Sequence, residues 1–247
     1  MSKVLRKPLG DGVVELQLHD PENDNLLGEE LCGDLISALS QISEEPDLKV
    51  LLLTGDSKSF CAGASLDGLK KLCAKTISYP PLTLPPQLIG YPVPVIAALE
   101  GHAVGGGLVL AISCDMTVAA SEKRFGFNFT TMGFTPGLGT TRLLPALVGH
   151  CFASEMLLTG KLYKGAELQG RGLFNAVVPG RTVRTVAMEL AARIAERPKY
   201  VIESVKKTLA QTRAQGLQEA LSQELILQEW CFKQPGALAL IEQYYPK

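Results

Sequence analysis

The chain has 247 residues, 46% of them hydrophobic and 20% charged, enough for one large domain or a domain with a smaller appendage. Its 24 basic and 25 acidic residues leave a formal charge of −1, with no block of like charge. Nucleic acid and anionic membrane therefore find no electrostatic footprint here, and nothing in the composition points to disorder.

Cysteines at 32, 61, 73, 114, 151 and 231 are scattered, without CxxC spacing and with too few histidines nearby to complete a zinc site. They read as reduced thiols, mostly core filler, and no metal is expected. The N-terminus "MSKVLRKPLGDG" lacks the apolar run of a signal peptide, and no stretch approaches the ~18 apolar residues of a spanning helix. The expected location is the cytoplasm.

Residues 13–19, "VVELQLH", alternate as a half-buried strand does, and "DPENDN" after them has turn chemistry. In "GEELCGDLISALSQISEE", Leu31, Leu35, Leu39 and Ile42 recur at helical spacing until Pro46 ends the run. "KVLLLTG" (49–55) is apolar on both faces, as a strand inside a sheet must be. "VPVIAALEG" then reads as a second buried strand, "GGLVLAIS" as a buried helix and "CDMTVAA" as a third strand. That alternation implies right-handed β-α-β crossovers and an α/β fold. Residues 64–92, with Pro80, Pro81, Pro85, Pro86 and Pro92, are expected to be irregular and to lie over a site. Past Arg181 the strand signal ends, and three helices are expected at 183–196, 199–213 and 217–232.

"GHAVGGGLVLAISCD" (101–115) sets Gly105, Gly106 and Gly107 directly before the buried helix. Neither GxGxxG with an acid downstream nor GxxxxGK[ST] is present, so a phosphate cradle is not indicated. A plain tight turn is one reading of the glycines. The second reading comes from "LLLTGDSKSFCAGASLDGL", another buried strand that exits into small residues before a helical pattern. Backbone N–H groups at Ala64 and Gly106 could then meet at one point and form an oxyanion hole. Small neighbours such as Ala62, Gly63 and Gly105 would let a substrate approach the backbone.

"SFCAGASLDGL", "PVIAALEGHAVGGGLVLAISCDMTVAAS", "GFTPGLGTTRLLPALVG" and "EMLLTGKLYKGAELQGRGLFNAVVP" together resemble the crotonase, or enoyl-CoA hydratase/isomerase, family. The resemblance implies a ββα-spiral core over 1–182, a C-terminal helical trimerisation region over 183–247, and trimers or dimers of trimers. It also implies that the N–H groups at Ala64 and Gly106 hold the thioester oxygen of an acyl-CoA or acyl-carrier-protein substrate, with Ala62, Gly63, Leu66, Gly105, Val109 and Phe129 around the acyl group. No cofactor is expected beyond the substrate's own phosphopantetheine or CoA arm. Hydratases of the family carry two glutamates where this chain has Val109 and Phe129, and neither residue can transfer a proton. A decarboxylation needs no such base, because it starts from an anion and leaves its electrons on the carbonyl oxygen.

"GHAVGGGLV", "NFTTMGFTPGLGTT", "LYKGAELQGRG" and "SQELILQEWCFKQPGALALIEQYYP" are similar to the crotonase-like decarboxylases of polyketide β-branching cassettes, which convert a carrier-bound 3-methylglutaconyl group to 3-methylcrotonyl. Two departures stand out. Those enzymes use a lysine where this chain has Ser78, beside Tyr79 and about one turn after Lys75, and a histidine where it has Lys233 or Gln234. Lys75, Tyr79 and Lys233 are therefore the candidate polar groups, each with a plainer reading as a solvated charge or a loop anchor. His102 reads as a hydrogen-bonded core residue, Cys61 as packing, and Trp230, Phe232, Tyr244 and Tyr245 as packing for the last helices or a subunit contact. An isomerase or hydratase that uses other residues, and a non-catalytic scaffold, remain the alternatives to a decarboxylase.

Overall fold

The computed structural model describes residues 2–74 and 80–245. Strands β1 (Val4–Gly10) and β2 (Val13–Leu18) form an antiparallel hairpin, followed by helix α1 (Glu29–Ser43) and strands β3 (Val50–Thr54) and β4 (Ser59–Cys61). Next come α2 (Leu66–Cys73), α3 (Leu84–Ile89), β5 (Val95–Leu99), β6 (His102–Val104) and α4 (Gly106–Ser113). The last turn of the spiral holds β7 (Met116–Ala120), β8 (Arg124–Gly126), α5 (Thr140–Val148), α6 (His150–Thr159), β9 (Leu162–Lys164), α7 (Gly165–Leu168) and β10 (Ala176–Val178). Helices α8 (Gly180–Ala195), α9 (Lys199–Ala214), α10 (Leu217–Phe232) and α11 (Ala237–Tyr244) complete the chain.

From β3 to β8 successive strands alternate between a large sheet and a small one, each pair followed by helix. The large sheet has the order β1-β2-β3-β5-β7-β10, parallel from β2 onward, and the small one has the order β4-β6-β8-β9. Alternation along the strands of the large sheet divides the core. Val50, Leu52, Ile96, Ala98 and Val118 face α8, whereas Leu51, Leu53, Val95, Ala97 and Leu99 face the larger core that contains α1 and α4. All eight residues of α4 are buried, which explains its all-apolar sequence.

The structure departs from the sequence expectation in four places. β1 was not expected, because only its first residue is buried and it shows no apolar alternation. The strands of the small sheet are three residues long, too short to carry a period. Among the described residues of 64–92 lie α2, a short 3-10 helix (Pro80–Thr83) and α3 rather than a wholly irregular run. Ser65 caps α2 by accepting the Gly68 N–H at 3.0 Å, and Pro85 falls in the first turn of α3, where a missing N–H costs nothing. Finally, the helix expected at 183–196 starts at Gly180 and covers the sheet through Val183, Ala187, Ala191 and Ala195. The expected division after residue 182 thus falls within the first turn of α8, and the fourth helix, α11, follows the three expected ones.

Among the described residues no helix is long and apolar enough to cross a membrane. A buried ion pair ties α9 to the sheet. Lys206 Nζ lies 2.7 Å from both carboxylate oxygens of Asp115 and donates to the Leu88 carbonyl at 3.2 Å. Burial pushes the lysine pKa down and Asp115 opposes that shift. Asp115 also accepts the Val95 N–H at 2.8 Å, so the pair holds the start of a central strand. Lys206→Met should leave that carboxylate without its main counter-charge and lower the unfolding free energy by about 3 kcal/mol in urea titrations.

Candidate active site

Strands β4 and β6 are parallel neighbours, with Cys61 opposite Ala103, so the chain leaves both at the same edge of the small sheet. The two exits are Ala62–Ser65 and Gly105–Gly106. They approach closely: a Cβ placed on Gly63 would lie 2.8 Å from the Val104 carbonyl oxygen and 3.6 Å from the Gly106 nitrogen. Gly105 has φ +53° and ψ −124°, a conformation that a side chain would strain. At Gly107 the reason for glycine is approach, since a Cβ there would meet the Cys61 carbonyl oxygen at 2.1 Å.

The backbone bonding of these two turns follows one plan. The Gly63 carbonyl accepts the Leu27 N–H at 2.7 Å, and the Gly105 carbonyl accepts the N–H groups of Leu108 and Val109, each at 3.1 Å. A trans peptide is planar with its N–H opposite its C=O, so anchoring these carbonyls aims the N–H groups of Ala64 and Gly106 away from the anchors. Among the described residues neither N–H donates to a protein acceptor. Gly106 also begins α4, where the helix dipole adds partial positive charge.

Both turns border a narrow pocket of about 40 Å³. Leu69 and Leu72 of α2, Leu82, Met132 and Leu138 give it aliphatic walls, and Phe129, Phe134 and Phe232 an aromatic one. The phenylalanines touch in series, Phe129 to Phe134 with ring centroids 5.9 Å apart and Phe134 to Phe232 at 5.3 Å. Asn128, Gln228 and Tyr245 are the polar side chains of the lining, and no aspartate, glutamate, histidine, lysine or arginine is among its described residues.

Of the residues expected at the site, Ala62, Gly63, Ala64, Gly105, Gly106 and Phe129 line this pocket together. Three do not. Val109 is fully buried and packs into the core, one turn along a helix enclosed on every side. Leu66 starts α2 and packs against the core, whereas α2 reaches the pocket through Leu69 and Leu72, one and two turns later. Lys233 is exposed after the end of α10. Gln228 and Phe232, four residues apart, share the pocket-facing side, and the next residue turns about 100° away. Lys75 and Tyr79 lie outside the described residues.

His102 is outside the pocket lining; its Nδ1 accepts the Arg124 N–H at 2.9 Å, and burial, with Lys123 nearby, lowers its pKa. Burial pushes the Cys61 thiol up to about 12, which makes it a poor nucleophile. Sequence reasoning missed Asn128, Gln228 and Tyr245 as pocket residues. Gln228 and Phe232 carry a helical repeat, but the return of α10 and α11 to the first strand exits leaves no local signal.

The Gly137–Leu138 wall is held from the same C-terminal region. Glu224 of α10 is buried and accepts the Gly139 N–H at 2.6 Å, the Thr141 N–H at 2.7 Å and the Thr141 hydroxyl at 2.6 Å. Leu138, at φ +63°, is thereby set against Gly106; a Cβ on that glycine would lie 3.2 Å from Leu138 Cδ1. Burial raises the Glu224 pKa, and the three donors restrain the shift.

Residues 9–245 match the family model described as enoyl-CoA hydratase/isomerase. The chain belongs to that family. It is 31% identical over 233 residues to the bacillaene synthase decarboxylase PksI of Bacillus subtilis, covering 94% of each chain. It is also 33% identical over 213 residues to a 2,3-dehydroadipyl-CoA hydratase of Escherichia coli, covering 86% of this chain and 84% of that protein. Among solved structures, the ECH2 decarboxylase domain of CurF from Lyngbya majuscula superposes with a TM-score of 0.92 at 30% identity, covering 99% of this chain and 100% of that one. A structure from a dehydratase/decarboxylase couple involved in polyketide β-branching gives 0.94 at 31% identity, covering 99% and 96%. Family members with both activities stand near 30% identity, so the residues of the pocket must separate them.

Two measurements probe this site. Val109→Glu should bury a carboxyl without a partner and lower the unfolding free energy by about 3 kcal/mol; unchanged thermal stability would mean that the position opens into the pocket. For Glu224 the sign follows from its raised pKa. The fold favours the protonated form, so its contribution is greatest below the unfolded value of 4.5 and is lost as pH rises through the higher folded value. Across that interval urea titrations should show wild type losing stability with rising pH relative to Glu224→Gln.

Proposed function

We propose that this protein decarboxylates a carboxylated enoyl thioester, of the type that takes 3-methylglutaconyl to 3-methylcrotonyl on an acyl carrier protein. The observation that carries the reading is a pocket with two open backbone N–H groups and no acid or base among its described lining residues. Phe129 occupies the wall at the position of one hydratase glutamate, and Val109 is packed in the core at the other. The β-branching decarboxylases among the relatives support the same reading.

In the proposed reaction the bond between the γ-carbon and the carboxylate carbon breaks, and CO2 leaves. The electron pair passes through the conjugated system to the thioester oxygen, where the N–H groups of Ala64 and Gly106 receive it. A proton from solvent water then adds to the γ-carbon and restores the unsaturated thioester, leaving hydroxide that solvent buffers. The donors act because they bind the enolate oxygen more strongly than the ground-state carbonyl. Decarboxylation needs no group to remove a carbon-bound proton, which fits a lining of hydrocarbon, amides and one phenol.

The substrate's pantetheine arm supplies all the cofactor chemistry in this scheme. Self-association as a homotrimer or dimer of trimers is part of the proposal, supported by the exposed apolar stripe Val201, Val205 and Leu209 on α9. Intact-mass analysis of 3-methylglutaconyl carrier protein incubated with the enzyme should show loss of CO2. Gly106→Pro, which removes one donor, should slow that loss about 10²–10³-fold. Deuterium uptake at the α or γ carbon without CO2 loss would instead identify an isomerase.

A further inference from the structure

The Tyr245 hydroxyl donates to the Ala64 carbonyl oxygen at 2.9 Å, 181 residues away in sequence. Burial raises the phenol's pKa, with the nearby Leu66 N–H opposing the shift, and keeps the hydroxyl protonated. Tyr245 follows the last residue of α11, lines the pocket, and is held there by the packing of α11 on α2. Lys70 of α2 also pairs with Glu242 of α11 at 2.6 Å.

We propose that Tyr245 is a positioning residue that fixes the direction of the Ala64 N–H. The proposal rests on Ala64 serving as an oxyanion donor. The Ala64 N–H belongs to the peptide whose carbonyl Leu27 anchors, and that bond fixes one side of the Ala64 α-carbon. The following peptide, which carries the Ala64 carbonyl, could still rotate and swing the turn. Tyr245 closes that freedom by holding the Ala64 carbonyl. With both flanking carbonyls engaged, the open N–H has one orientation. Gly106 needs no such clamp, because α4 bonds the Gly105 carbonyl and the Gly126 carbonyl accepts the Gly105 N–H at 2.9 Å. The asymmetry is the reason for a side chain at one turn only.

Tyr245→Phe keeps the ring and removes the clamp. Decarboxylation kinetics on the full-length chain should show kcat reduced about tenfold, a fraction of what losing a whole oxyanion donor costs, with KM within about twofold of wild type. A second readout needs no turnover: the infrared carbonyl stretch of 13C-labelled butyryl-pantetheine should shift to lower frequency on binding to wild type, and less so on binding to Tyr245→Phe. Equal kcat and equal shift for Tyr245→Phe and wild type would overturn the proposal. So would a loss confined to thermal stability, or to KM. Gly106→Pro in the same assays separates the two levels: if it matches wild type in rate and shift, the oxyanion reading fails, and the positioning role with it. A damaged Gly106→Pro beside an unaffected Tyr245→Phe rejects the clamp alone.

Discussion

The structure is organised around two peptide groups whose carbonyls are bonded and whose N–H groups are not. Buried backbone donors are paired in more than about 90% of cases, so two open ones beside the same pocket call for a physical cause. The cause is topological. β4 and β6 run parallel side by side, and each ends in a turn that uses its carbonyl elsewhere, one on Leu27 and the other on the first turn of α4. Gly105 and Gly107 permit the second turn, the one by its backbone angles and the other by its lack of a side chain against Cys61. The surrounding core offsets the cost of the unpaired donors, with strands buried on both faces and α4 buried all round.

An apolar wall sharpens the effect of these donors and narrows the chemistry open to them. In a pocket of phenylalanine, leucine and methionine, a charge interacts more strongly with a nearby N–H than it would in water. That favours any reaction in which negative charge develops on the thioester oxygen. It disfavours a route that must create an ion pair from neutral groups, because the new charges would lack water and partners. Decarboxylation moves one existing negative charge from the carboxylate toward the donors, so the number of buried charges does not change. The donors then act on the difference between the two positions of that charge.

Much of this was legible in the chain. Val50–Thr54, Val95–Leu99 and Met116–Ala120 announce themselves as strands because burial on both faces demands unbroken apolar runs, and Gly106–Ser113 announces a buried helix for the same reason. The pairing of Ala64 with Gly106 was legible as two similar strand exits. β1 was not, because past Val4 it is exposed on both sides, and Leu5, Arg6 and Lys7 follow one another with no alternation to read. Val109 and Leu66 were misplaced because nearness in sequence to a donor does not decide which way a side chain points. Lys233 lies one position past Phe232, at the end of α10, and that is the difference between the pocket and solvent.

What the sequence held least visibly is that the last 30 residues finish a site begun in the first 70. Gln228 and Phe232 close one wall, Glu224 sets the Gly137–Gly139 turn, and Tyr245 holds the Ala64 carbonyl. None of these contacts is local: Glu224 bonds Thr141 and Gly139 from 83 and 85 positions away, Gln228 bonds Thr135 from 93, and Tyr245 bonds Ala64 from 181. Helices α10 and α11 therefore build the pocket as much as the packing. A sequence change on them can alter the donors without touching the glycines, because the direction of a backbone N–H is set by whatever holds the carbonyls on either side of it.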